Sequence, residues 1–152
     1  MTTGNEPDDA GTGEASTSGG AGAVEDLHCR SVAATPQRLD GLRRQVGEWA
    51  GRTGLAVSRV QDLVLAVYEA LANVAAHAYH AQPGPLDLHA RHHDGRVTVT
   101  VTDHGQWTPA PVPGLLHGRG LPLIHTLADE ATFTTSPAGT TVEMTWTCTP
   151  AA

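Results

Sequence analysis

Two hydrophobic periods divide the chain. In "TPQRLDGLRRQVGEWAGRTG", Leu39, Leu42, Val46 and Trp49 recur at helical spacing, and Thr35 followed by Pro36 supplies an N-cap and a first helical residue. Gly51 and Gly54 end this helix. A longer one follows in "SRVQDLVLAVYEALANVAAHAYH", where Ser58 and Gln61 form a capping-box pattern and "QPGP" (82–85) sets the stop. The period then changes to two. "PLDLHARHHDGRVTVTVTDHG" alternates in two runs split at Asp94-Gly95, a hairpin signal, with Val97, Val99 and Val101 on one face and Thr98, Thr100 and Thr102 on the other. An opening strand near "DLHCRSVAA", a short helix "LPLIHTLADE" and two closing strands around "SPAG" complete the pattern. This order predicts an α+β fold, a two-layer sandwich in which a mixed, mostly antiparallel sheet carries its helices on one face.

Composition removes the first segment from that fold. Met1 to Val24 is rich in Gly, Ser, Thr and acids, and no Leu, Ile, Phe, Trp or Tyr precedes Leu27. Such a stretch buries too little apolar surface to offset its backbone entropy, so residues 1–24 read as a disordered acidic tail and 25–150 as the folded domain. The tail has neither the basic start nor the apolar run of a signal peptide, and no stretch reaches about 18 uninterrupted apolar residues, so a cytoplasmic protein without a membrane span is expected.

The formal net charge is −7, and Glu6, Asp8, Asp9, Glu14, Glu25 and Asp26 account for most of it. The folded part is near balance, which argues against direct nucleic-acid binding. Cys29 and Cys148 have no metal or redox spacing and read as reduced, although nothing in the sequence excludes their pairing. Among nine histidines, His77 with His80 and the pair His92-His93 supply too few ligands for a zinc site.

Four features carry candidate chemistry. Glu69 and Asn73 interrupt the long apolar helix one turn apart, on one face. Asp103 ends a strand two residues before Gly105, which suits a pocket where a ligand approaches backbone. "GRGL" (118–121) opens the short helix, where free N–H groups suit phosphate. "GTT" (139–141) enters the last strand with hydroxyls that can face a ligand. Each alone has a plain structural explanation: a solvated helix rim, an Asp-x-Gly turn, a flexible turn, β-branched residues in a strand.

In order, E-x-x-x-N, D-x-G, G-x-G-L and G-T-T resemble the ATP site of the gyrase, heat-shock chaperone, histidine-kinase and mismatch-repair ATPases. "EALANVAAHAY", "GRGLPLI" and the short chain resemble the bacterial anti-sigma-factor serine/threonine kinases most, over roughly Leu27 to Thr149. The resemblance implies the Bergerat-type ATP-binding fold, with ATP and Mg²⁺ as cofactors. It implies Asn73 as the Mg²⁺ ligand and Glu69 as general base. Asp103 would accept from the adenine amino group beside Gly105. Thr141 would support that contact, with Thr140 a less certain neighbour. Gly118, Arg119, Gly120 and Leu121 would hold the phosphates, and the segment from Gln106 to His117 would be the lid. Trp107 departs from the family's D-x-G-x-G pattern. The implied partners are a sigma factor and an antagonist protein phosphorylated on serine. A homodimer built on the first strand and first helix is a further implication. A non-catalytic ATP-binding regulator that switches partner binding is the alternative.

Overall fold

The computed structural model describes residues 24–79, 82–106 and 120–148. The tail up to residue 23 and most of the expected lid, Trp107 included, lie outside them. The elements run β1 (Leu27–Ala33), α1 (Pro36–Ala50), α2 (Val57–Asn73), a π-helical turn (Val74–Ala78), β2 (Pro85–His93), β3 (Arg96–Asp103), α3 (Gly120–Leu127), β4 (Glu130–Ser136) and β5 (Gly139–Thr147).

The strands form one sheet in the order β1-β2-β3-β5-β4, and all four pairings are antiparallel. The sheet expected to be mixed is thus antiparallel throughout. Tight turns impose this at two places. Asp94 (φ +50°) and Gly95 (φ +73°) link His93 to Arg96 with both central residues left-handed, which matches the twist of the strands. Pro137 and Ala138 link Ser136 to Gly139.

The alternation in β3 is realised. Val97, Val99 and Val101 are fully buried beneath the helices, with Leu86, Leu88 and Ala90 of β2 and Val142, Met144 and Trp146 of β5. Thr98, Thr100 and Thr102 point to the other face. The helical layer contributes Leu42, Val46 and Trp49 from α1, Leu63, Val67 and Leu71 from α2, and Ile124 from α3. Burying each such side chain contributes roughly 1.5–3 kcal/mol.

At the start of α1, Thr35 caps the helix through Arg38 N, with Pro36 in the first turn. The start of α2 differs from expectation. Ala56 occupies the cap position with no side-chain bond, and Ser58 lies inside the helix. The first turn is held instead by Arg59, whose guanidinium pairs with Asp62 (2.8 Å) and Asp129 (2.6 Å), tying α2 to the end of α3. Both cysteines are free thiols, and partial burial raises the pKa of each.

Candidate functional site

The regular part of α2 ends at Asn73, short of the expected end at His80. The chain continues as a π-helical turn to Ala78 and becomes extended at Tyr79 (φ −130°). Such turns widen the helix, leave carbonyls free of the usual ladder and occur often at functional sites. Here the Ala78 carbonyl accepts the N–H of Gln106 at 3.1 Å. Gly105 packs so closely on the same carbonyl that an added Cβ would lie 2.7 Å from Ala78 C and nearer still to its oxygen. The glycine expected to admit a ligand is therefore also required by the protein's own backbone.

Asp103 ends β3 and is 1% exposed. Its Oδ1 accepts two backbone N–H groups, from Gly105 at 3.0 Å and from Thr140 at 3.3 Å. An anionic acceptor held by backbone donors has a fixed plane at little entropic cost. Thr140 stands opposite Asp103 in the β3–β5 ladder, is 4% exposed and shares the helix-covered face. Thr141 pairs with Thr102 and turns to the other face. Of the two threonines, Thr140 is the one that stands beside Asp103. One-residue alternation in a strand makes the two positions mutually exclusive on one face.

Glu69 and Asn73 are both half-buried on α2, one turn apart. The Nδ2 of Asn73 is buried with no hydrogen-bond partner among the described residues. An unpaired buried amide costs roughly 1–3 kcal/mol, which fits a side chain whose partner is a bound group. Its carbonyl oxygen is the kind of hard donor that Mg²⁺ takes. Among the described residues no cluster of three or more His, Cys, Asp or Glu side chains is placed to hold a metal. A cation here would therefore depend on Asn73 together with phosphate oxygens and water. Gly120 and Leu121 open α3, as "GRGL" predicts, and α3 packs along α2. Gly118 and Arg119 lie outside the described residues.

The structure brings Asp103, Gly105 and Thr140 into direct contact. It joins them to the Asn73 helix through Ala78. Two further residues, neither given a role from sequence, belong to this junction. Gly139 (φ +144°) sits so close to Asp103 that a Cβ would lie 2.9 Å from its carbonyl carbon; the glycine before the paired threonines was the available signal. Tyr79, which closes the "EALANVAAHAY" stretch but was assigned no role there, is the other.

The histidine kinase-like ATPase domain family matches residues 32–146. The serine-protein kinases RsbW of Bacillus velezensis and Bacillus subtilis are each 30% identical over 130 residues, covering 75% of this chain and 81% of theirs. Among solved structures, the RsbU and RsbW domains of Rv1364c from Mycobacterium tuberculosis superpose with a TM-score of 0.66 at 27% identity, over 82% of this chain and 32% of that longer one. A chain of the SiaB–SiaC complex of Pseudomonas aeruginosa shares the fold, with a TM-score of 0.60 at 12% identity, over 78% of this chain and 88% of that one.

Proposed function

Because the chain belongs to the histidine kinase-like ATPase domain family, and within it to the RsbW-type anti-sigma-factor serine kinases, we propose that it is an ATP-binding partner-switching kinase of the cytoplasm. It holds a sigma factor and phosphorylates a serine on a small antagonist protein. The observation that carries this reading is a buried Asp103 carboxylate, fixed by backbone donors, in the same site as an Asn73 amide nitrogen that is buried without a partner among the described residues.

Each residue then has a defined task. Asp103 accepts from the adenine amino group, with Thr140 beside it. Gly118, Arg119 and Gly120 receive the phosphates at the start of α3. Asn73 would hold Mg²⁺, which would supply charge neutralisation at the phosphates. Glu69, one turn away, accepts the proton of the serine hydroxyl as its oxygen bonds to the γ-phosphorus and the bond to the ADP oxygen breaks. The new phosphate adds about −1.5 to −2 charge to the antagonist and weakens its contact with the kinase.

The test is calorimetric ATP titration with and without Mg²⁺, on the wild type and on Asn73→Ala, followed by transfer of labelled phosphate to the antagonist. Mg²⁺-dependent binding lost in the variant, with transfer lost but binding kept in Glu69→Gln, is the expected result. No binding to the wild type would overturn the reading. Binding without transfer to any serine would leave the non-catalytic regulator, which shares every nucleotide contact and differs at Glu69.

A further inference from the structure

The antiparallel β2–β3 ladder stops where Leu86 faces Asp103. One more step would set Pro85 opposite His104, and proline has no N–H to give. The hydroxyl of Tyr79 fills the break. It donates to the Pro85 carbonyl at 2.7 Å and accepts the His104 N–H at 3.0 Å. A phenol can do both at once, so one oxygen bridges the His104 N–H and the Pro85 carbonyl; the N–H that proline lacks would have faced the His104 carbonyl instead.

The ring is equally constrained. It lies against Gly84, where an added Cβ would run into the ring carbons. Tyr79 also directly follows Ala78, whose carbonyl meets Gly105 and Gln106. Three segments therefore meet at this side chain: the end of the π-helical turn, the entry to β2 and the exit from β3. The residues on either side of His104 are Asp103 and Gly105, whose N–H itself reaches the Asp103 carboxylate.

We infer that Tyr79 is a positioning residue for base recognition: its hydroxyl fixes the Asp103–Gly105 turn against the Asn73 helix, and so sets where the Asp103 carboxylate meets the base. This rests on the ATP-binding reading above. Both hydrogen bonds of the hydroxyl run to backbone groups, at Pro85 and His104. It acts by holding the backbone immediately after the acceptor, so its effect should appear only where Asp103 has a donor to read.

The test compares two nucleotides on wild type and Tyr79→Phe, a variant that keeps the ring on Gly84 and removes both bonds. ATP offers the 6-amino group; purine riboside triphosphate lacks it. Tyr79→Phe should lose about tenfold in affinity for ATP and less than about twofold for the purine analogue. In phosphoryl transfer the ATP KM should rise while kcat at saturation holds. Equal losses for both nucleotides, or unchanged ATP affinity, would overturn the inference while leaving ATP binding intact. A wild type that binds neither nucleotide would remove the function and this role together. The latch is also readable without a variant, by hydrogen exchange in the wild type. The His104 amide should be protected, and exchange at the open-chain rate would overturn the inference.

Discussion

Asp103 and Thr140 face each other across the β3–β5 ladder, and the Asp103 side chain reaches over to accept the Thr140 N–H at 3.3 Å. A second donor, Gly105 N, converges on the same oxygen at 3.0 Å. The carboxylate is thereby both a structural clamp on the end of β3 and an acceptor with a set direction. These two tasks belong to different chemical properties of the group, so they are separable.

Asp103→Asn separates them. The amide oxygen can still accept both backbone donors, so the clamp survives. The charge is lost, and an N–H₂ stands where an acceptor stood. ATP affinity should fall about 10- to 100-fold, as expected for losing a hydrogen bond to a charged group. The melting temperature should move by no more than ~4–8 °C, equivalent to about 1 kcal/mol. A calorimetric titration and a thermal melt on the same sample check both. Unchanged ATP affinity would remove Asp103 from the site.

Asn73→Ala should give an unusual split between function and stability. The Nδ2 it removes is buried without a partner among the described residues, so its loss relieves a desolvation cost of roughly 1–3 kcal/mol. Ala also has the better helix propensity at the end of α2. Mg²⁺-dependent ATP binding should vanish while the urea midpoint stays equal or rises. A variant that unfolds markedly earlier would show that Asn73 is chiefly a structural residue.

Much of this was legible in the sequence because it is local. The Val97-Val99-Val101 alternation, the Asp94-Gly95 turn and the Thr35-Pro36 start all follow from two or three adjacent residues, and all are realised. The π-helical turn after Asn73 was not legible. Its last residue, Ala78, meets Gly105, far along the chain, and a contact at that sequence distance is not readable from neighbouring residues. The choice between Thr140 and Thr141 was hidden for a related reason. Strand register against Asp103 decides which one faces the helices, and either residue fits the motif. Ser58 misled as a cap because α2 begins one residue before it, at Val57, and its first turn is tied by Arg59 to Asp129 in the distant link between α3 and β4.

Two glycines should respond in opposite directions to alanine. At Gly105 the new methyl would meet the Ala78 carbonyl, and Gly105→Ala should destabilise by about 1–3 kcal/mol or more. At Gly41, inside α1, a Cβ meets nothing within 4 Å, and Gly41→Ala should stabilise by roughly 0.5–1 kcal/mol. Urea denaturation of both variants at one pH is the check. Equal effects would mean that the close approach at Gly105 does not constrain the fold.

Asp87 links the opening strand to the turn beyond Asp103, and this link should titrate. Its Oδ1 accepts the N–H of Ser31 at 2.8 Å, and its Oδ2 lies 3.2 Å from His104 Nε2. Ser31 sits in the β1 bulge at φ +52°, a conformation that costs a non-glycine residue on the order of 1 kcal/mol or more and needs such support. The Ser31 N–H is the main cause that lowers the Asp87 pKa; partial desolvation opposes it, and His104 and then Arg30 lower it further. A carboxyl depressed in the folded state contributes stability that is fully present above its unfolded pKa, about 3.9. That contribution is lost as pH falls through the folded value. Asp87→Asn keeps an oxygen for Ser31 but carries no charge. Wild type should therefore exceed the variant in urea midpoint at pH 7 and at pH 5, and the gap should narrow once the pH drops below about 4. A gap of constant size down to pH 3 would show that the charge of Asp87 does not stabilise the bulge.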